Sequence, residues 1–167
     1  MKKTLFVLVA VVMVATLLAS CGPKAPSGEA LVTVKGKIGA KNVGETYVLD
    51  QAAFDANSVE LTYNDPWMGD GLKYKGILLK DLIKLVKPTS EVTKVALVAV
   101  DGMTLDIALA DAQKYDLMLP RWVDGVLLTE ENGGPVKLAV PEDGKDKNGG
   151  PLADENWMWW IKSVEFK

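Results

Sequence analysis

Alternating apolar and polar positions predict strands along much of the chain. The stretch "LVTVKGKI" places Val32 and Val34 on one face and Thr33 and Lys35 on the other. The stretches "TYVLD" and "SVELTY" have the same two-residue period. The pattern therefore predicts a mostly β protein.

A hairpin and a final strand complete the predicted β structure. "KVALVAVDGMTLDIAL", residues 94–109, contains an apolar strand, an Asp101-Gly102 turn and a return strand. A second Asp-Gly turn falls at residues 124–125. In "WMWWIKSVEF" the inward face changes phase around Lys162 and Ser163, which predicts a β-bulge there.

A helical period interrupts the strands once clearly. In "ILLKDLIKLVKP" the positions that share one face are apolar, Lys80, Asp81 and Lys84 face away, and Pro88 ends the pattern. The apolar set comprises Leu78, Leu79, Leu82, Ile83 and Val86. "ADAQKY" predicts a second, shorter helix. Helices inserted among strands, without strict alternation, predict an α+β domain over residues 30–167.

The beginning of the chain has the pattern of a secretory signal. Lys2 and Lys3 precede an apolar run and small residues, so residues 1–20 are expected to be a signal peptide. "LLASC" is a lipobox, which makes Cys21 the expected lipidation site and residues 21–29 a flexible tether. A transmembrane helix is the alternative, but the apolar run is short for a bilayer span. The expected location is outside the cytoplasm, on the cell surface or on the outer membrane facing the periplasm.

Composition excludes several classes of function. The formal charge is −3, and it becomes more negative once Lys2 and Lys3 are removed, so nucleic acid is not an expected partner. The chain has no histidine and one cysteine. Without imidazoles, the sequence excludes His-ligated haem, His–Cys metal sites and His-based catalytic triads.

Five motifs in order resemble one known family. "YKGILLKDLI", "VAVDGM", "ADAQKYDLML", "VDGVLLTEENGGPVKLAVP" and "WWIKSVEF" are similar to the oxidoreductase molybdopterin-binding domain of the sulfite oxidase family. The resemblance covers about Leu31 to Phe166. It implies a β-rich, mixed-sheet or barrel-like fold with short inserted helices.

The resemblance also implies what this chain has replaced. In the family, a segment beside the molybdenum cofactor has a pattern of which Gly133, Pro135, Val140 and Pro141 are kept here. Lys137 stands where the family has an arginine, and Asn132 where it often has a histidine. Arg121 stands where the family commonly has a tyrosine.

The resemblance does not extend to the residue that binds the metal in the family. Family enzymes hold molybdenum through a cysteine thiolate after the strand that here reads "VELTYND", and the corresponding residue is Tyr63 or Asn64. The expectation is therefore no metal and no cofactor, with molybdopterin suggested by the resemblance alone.

The candidate ligand site is the rim of the family's cleft. Its expected residues are Tyr63, Asp65, Trp67, Asp101 and Arg121, which suit a small polar organic ligand. Two alternatives stay open: "NDPWMGDG", residues 64–71, is a solvated turn, or it binds a ligand or cation.

Core packing is the favoured interpretation of Trp157, Trp159 and Trp160, while Trp122 is a further candidate for the rim. The acidic loop of residues 141–156 fails the EF-hand template and is expected to be solvated and flexible.

The sequence thus favours a membrane-anchored accessory or ligand-binding module over an enzyme. Its expected partners are the membrane, through Cys21, and a small polar ligand or another protein. The alternatives are a molybdopterin-dependent oxidoreductase, or a subunit of one that binds the pterin non-covalently, and a structural protein without a ligand.

Overall fold

The computed structural model describes residues 23–153 and 156–167. Within these ranges the chain forms two β-sheets and three α-helices. The helices are α1 (Gln51–Asn57), α2 (Leu79–Val86) and α3 (Leu109–Lys114). The strands are β1 (Val32–Gly36), β2 (Tyr47–Leu49), β3 (Val59–Asp65), β4 (Gly69–Leu78), β5 (Lys94–Ala99), β6 (Thr104–Ala108), β7 (Met118–Val123), β8 (Val126–Leu127) and β9 (Ile161–Phe166).

The larger sheet has the strand order β2-β1-β9-β5-β6. Its strands pair antiparallel except β1 and β9, which are parallel. Val98 pairs with Ser163 and Ala99 pairs with Ile161, so β9 carries Lys162 as an extra residue. The bulge predicted at the change of phase is confirmed.

The smaller sheet, β3-β4-β7-β8, is antiparallel throughout. Its central strands approach closely at Gly76, where a Cβ atom would lie 2.2 Å from the carbonyl oxygen of Leu119. A register shift between Lys75 and Gly76 occurs at the same point. A side chain at residue 76 would therefore separate β4 from β7.

Helix α2 confirms the helical period. Leu79, Leu82, Ile83 and Val86 are buried, and Lys84 is exposed. The predicted first residue of the apolar stripe, Leu78, instead ends β4. Strand β4 passes directly into helix α2, so Leu78 at the end of the strand packs in the same core as the buried face of the helix.

The residue that caps helix α1 also binds the beginning of the described chain. Asp50 caps the helix, since its Oδ1 accepts a hydrogen bond from the backbone N–H of Ala53 at 2.9 Å. Its Oδ2 accepts from the backbone N–H groups of Ser27 and Gly28 at 2.7 and 3.0 Å. These bonds hold the pKa of Asp50 below its ordinary value, the capping bond to Ala53 being the largest cause. The end of the expected tether is thus fixed to the domain.

The segment 133–141 is a buried connection rather than a strand of either sheet. Gly133 has a φ of 89° and begins it, and Val136, Leu138, Ala139 and Val140 are fully buried. Ala139 bridges to Met118 of β7, and the N–H of Leu138 donates to the carbonyl of Met158 at 2.7 Å. The segment therefore lies between the smaller sheet and the residues that lead into β9.

The fold class is the predicted one, an α+β domain dominated by sheets with short inserted helices. Among the described residues, no helix has the length and apolar character needed to span a bilayer. The predicted signal peptide, its transmembrane alternative and Cys21 lie outside the described residues.

Candidate functional site

A fully buried ion pair joins the end of β3 to the segment 133–141. The Nζ atom of Lys137 lies 2.6 Å from Oδ2 of Asp65, and neither side chain is exposed. Asp65 ends β3, whereas Lys137 lies within the apolar run 136–140. Opposite charges are tolerated away from water when they are paired and hydrogen-bonded. The pair fixes the segment to the smaller sheet from the inside.

Hydrogen bonds satisfy both oxygens of the Asp65 carboxylate. The Tyr74 hydroxyl donates to Oδ2 at 2.6 Å, and the backbone N–H groups of Trp67 and Met68 donate to Oδ1 at 2.8 and 3.1 Å. Burial raises the pKa of Asp65, but the hydrogen bonds from Lys137, Tyr74 and Trp67 together outweigh burial. The net pKa is below its ordinary value, so this carboxylate stays ionised at neutral pH.

Aromatic rings enclose the ammonium of Lys137. Its Nζ atom lies 5.4, 5.3 and 5.1 Å from the ring centroids of Tyr74, Trp157 and Trp159. Burial lowers the pKa of Lys137, and the bond to Asp65 opposes this shift without cancelling it. The rings and the carboxylate together replace the water that the ammonium has lost.

An open cleft of about 240 Å³ lies on the outer side of these tryptophans. We call it the aromatic cleft and define it by Trp67, Asp101, Met103, Trp159 and Trp160, which line it with parts of Ala99 and Trp157. Trp67 is 64% exposed. The turn that carries Trp67 is held by Asp65, and the Asp101 turn is held by the N–H of Met103, which donates to Asp101 Oδ1 at 2.9 Å. Two tight turns therefore meet at one surface.

Trp160 is held in an unusual backbone conformation beside the cleft. Its φ is 53°, in the left-handed region that bulky residues rarely adopt. Its N–H donates to Gly133 at 2.9 Å, its carbonyl accepts from the N–H of Val100 at 3.0 Å, and its indole N–H donates to the carbonyl of Glu130 at 2.8 Å. Its ring packs edge-on against Trp159, with centroids 5.7 Å apart. Three hydrogen bonds keep the strained residue in place.

Arg121 lies on β7 and holds a different turn. Its Nη1 atom donates to the carbonyl oxygens of Leu128 and Pro135 at 2.9 and 3.3 Å. Its Nε atom is buried without a hydrogen-bond partner among the described residues. Burial lowers the pKa of Arg121. Arg121 therefore ties the 128–135 turn to the sheet.

The structure arranges the candidate residues differently from the expected rim. Trp67 and Asp101 line the aromatic cleft together. Tyr63 and Asp65 are buried instead, because the Tyr63 hydroxyl donates to the carbonyl of Asp116 at 2.6 Å and Asp65 pairs with Lys137. Arg121 does not line the cleft, since its guanidinium is used within the 128–135 turn. The five residues do not form one rim.

The tryptophans divide between core and surface. Trp157 is buried, as core packing requires, but Trp159 and Trp160 are half-buried and line the cleft. Trp122 lies elsewhere, with the Nζ atom of Lys75 4.8 Å from its ring centroid. The positive φ of Trp160 turns the chain before β9, and no sequence pattern predicts that turn.

Specific hydrogen bonds hold both the predicted turn 64–71 and the acidic loop. Residues 64 and 65 end β3, residues 69–71 begin β4, and Pro66 to Met68 form a tight connection between them. In the acidic loop, Lys145 is buried and donates to the carbonyl of Asn64 at 2.9 Å and to Glu142 at 2.6 Å. Short 3-10 turns span Glu142–Gly144 and Asp146–Asn148, whereas residues 154 and 155 lie outside the described residues. In the described part of the chain, no three His, Cys, Asp or Glu side chains cluster as metal ligands do.

Comparison with solved structures identifies a similar fold. The sulfane dehydrogenase SoxCD from Paracoccus pantotrophus is similar with a TM-score of 0.62 and 14% sequence identity, over 87% of this chain. This chain covers 40% of that one, so it corresponds to less than half of the enzyme chain. No curated protein sequence matches this chain.

A family model settles the relationship. The model described as "Oxidoreductase molybdopterin binding domain" matches residues 53–144, which is more than half of the chain. The matched range contains the Asp65–Lys137 pair and the Arg121 turn and lies within the predicted domain. The similar fold and the family match agree with the resemblance inferred from the five motifs. This chain belongs to the oxidoreductase molybdopterin-binding domain family, and its fold is sulfite oxidase-like.

Proposed function

We propose that this protein is a lipid-anchored, extracytoplasmic member of its family that does not run a molybdenum reaction and serves as a small-ligand-binding accessory module. The observation that carries the proposal is the buried Asp65–Lys137 pair. In this pair, Lys137 belongs to the segment that lies beside the cofactor in the family, and its ammonium is bound inside the domain. A cationic side chain that is paired internally does not offer its charge to a pterin pyrophosphate.

The other cations in this region support the same conclusion. Arg121 donates to two backbone carbonyls, and Lys145 binds Asn64 and Glu142. A pyrophosphate needs several donors directed at one place, and these side chains are directed at protein oxygens. The single cysteine, Cys21, precedes the domain, and the resemblance gives Tyr63, which is buried, or Asn64 as the counterpart of the thiolate. The residues present do not fit the molybdenum cofactor.

One observation favours the alternative, in which the domain binds the pterin non-covalently. The buried Nε–H of Arg121 has no acceptor among the described residues, and a buried donor of this kind is available to an anion. The position of Arg121 beside the 128–135 turn, at the start of the family's cofactor segment, suits such a contact. The alternative would make the protein a subunit of an oxidoreductase.

Metal and pterin analysis tests the proposal directly. Full-length protein made in a molybdenum-replete host should contain far less than one molybdenum and one pterin per chain and should show no sulfite or sulfoxide turnover. A catalytic member of the family, produced and purified in parallel, controls for cofactor supply. Stoichiometric molybdenum would overturn the proposal. Stoichiometric pterin that is lost in Arg121→Gln protein would establish the alternative.

The expected anchor has a separate test. Cys21→Ala should release the protein from membranes or leave an unprocessed precursor, because the acyl chains that hold it are attached at this residue. Fractionation and mass analysis of the mature N-terminus measure both effects, with Ser20→Ala as the neighbouring control. A wild-type N-terminus other than a lipidated Cys21 would refute the anchor.

The fixed end of the tether predicts how far the domain can move from the membrane. Ser27 is bound to Asp50, so about six residues, or about 20 Å of extended chain, separate the lipid from the domain. The end of the domain that holds Ser27 would therefore stay close to the membrane surface.

A further inference from the structure

The walls of the aromatic cleft have one dominant chemical character. Trp67, Trp159 and Trp160 supply aromatic surface, and Met103 adds a thioether. Asp101 is the charged side chain in the lining. Exposed Lys162 donates weakly to the carbonyl of Val100 and does not line this cleft. The cleft therefore combines electron-rich ring faces with a single negative charge.

The buried charge behind the cleft does not change its sign. Lys137 approaches the ring of Trp159 to 5.1 Å, but Asp65 balances it at 2.6 Å. The two charges form a compact dipole, whose field falls off faster than that of a single ion. Asp101, which is exposed, therefore sets the net charge that a ligand meets.

Backbone strain at Trp160 points to a role for its side chain. A bulky residue at positive φ persists only when its surroundings hold it, and such residues concentrate at functional sites. Its indole N–H is already bound to Glu130, so Trp160 contributes to the cleft through the carbon surface of its ring. A second cleft, of about 280 Å³, also has Trp160 in its lining, together with Glu130. Trp160 thus borders two open spaces, and the lining of each includes one acidic residue.

From this arrangement we infer that the aromatic cleft binds a small organic cation of the alkylated ammonium class. The cation contacts the faces of Trp67, Trp159 and Trp160, and Asp101 supplies the counter-charge. The quadrupole of an aromatic ring attracts a cation to the ring face, and an ammonium group covered by methyl groups loses little hydration on contact. This inference rests on the proposed ligand-binding function and specifies the ligand class.

Choline and its neutral carbon isostere, 3,3-dimethylbutanol, provide the decisive pair of probes. The full chain is purified in a maltoside detergent, which lacks ammonium head groups, and binding is measured by calorimetry and tryptophan fluorescence. Choline should bind at least about tenfold more tightly than the isostere, since the two share shape and differ in charge. Equal affinities, or no choline binding, would overturn the inference.

Variants locate the site. Asp101→Asn keeps the oxygen that accepts from Met103 and should weaken choline binding about tenfold, as should Trp67→Ala. Asp70→Asn and Trp122→Ala are matched controls, because neither residue lines the cleft, and both should bind choline as the wild type does. Equal effects of the Asp70 and Asp101 variants would mean that overall charge, rather than this cleft, attracts the cation, and would overturn the site.

The source of the ammonium group has its own test. If it belongs to a lipid head group, vesicles of phosphatidylcholine should compete with free choline, whereas phosphatidylglycerol vesicles should not. If it belongs to a solute, neither type of vesicle competes. Both outcomes agree with the inferred chemistry and identify the source. A negative choline result together with an absence of molybdenum would reject the ligand class while leaving the non-catalytic proposal intact.

Discussion

Asp65→Asn should destabilise the protein by about 3–5 kcal/mol, because it leaves the ammonium of Lys137 buried without its counter-charge. The substitution keeps an oxygen for the N–H groups of Trp67 and Met68, but it replaces the oxygen that accepts from Tyr74 and Lys137 with an amide NH2 group, so charge and acceptor are lost together. Urea unfolding at pH 7 measures the change in the free energy of unfolding. The loss is a large part of the total stability of a typical domain.

A second substitution separates charge from packing. Lys137→Met added to Asp65→Asn removes both charges and should recover most of the loss, since a buried pair and an apolar replacement are often similar in stability. Asp106→Asn is the exposed control, because its pair with Lys94 is in water and should contribute no more than about 1 kcal/mol. Equal losses for the Asp65 and Asp106 variants would contradict the structural role of the buried pair.

The same pair should make stability depend on acid. The folded-state pKa of Asp65 is lowered, so its contribution is complete above the unfolded-state value, about 3.9, and is lost as the pH falls through the folded value. The difference between wild type and Asp65→Asn should therefore be constant near neutral pH and shrink below about pH 4. A difference that grew on acidification would mean that the pKa shift has the opposite sign.

Local patterns predicted the parts of the fold that have one buried face. The period of α2 and the phase change at Lys162 can both be predicted, because apolar and polar residues recur there at the spacing of the element. The sequence does not predict strand β4. Its first half is exposed and contains Gly69 and Gly71, and its second half has the pattern of the start of helix α2. The buried residue of helix α1 is Phe54, and a single buried position does not produce a recognisable helical period.

The candidate site depended on contacts that sequence does not encode locally. Asp65 and Lys137 are 72 residues apart, and the sequence indicates Lys137 only as a replacement for the family's arginine. A lysine within an apolar run was itself a signal, because a buried ammonium requires a partner. Which carboxylate it would meet depends on the packing of the segment against the smaller sheet. For the same reason, the sequence predicts Asp65 on the rim, whereas the structure buries it in the core.

Helix α2 provides the second large effect. Leu82→Ala should reduce the free energy of unfolding by about 2–5 kcal/mol, because Leu82 is fully buried and its truncation leaves a cavity in the main core. Lys84→Ala, two residues further along the same helix, should change it by less than about 0.5 kcal/mol, since that side chain is exposed and contacts Asp81 only at the surface. Both changes introduce alanine, so the difference between them does not reflect helix propensity. Urea midpoints measured with equal slopes give the comparison, and equal midpoints would show that the two residues do not lie on opposite faces of the helix.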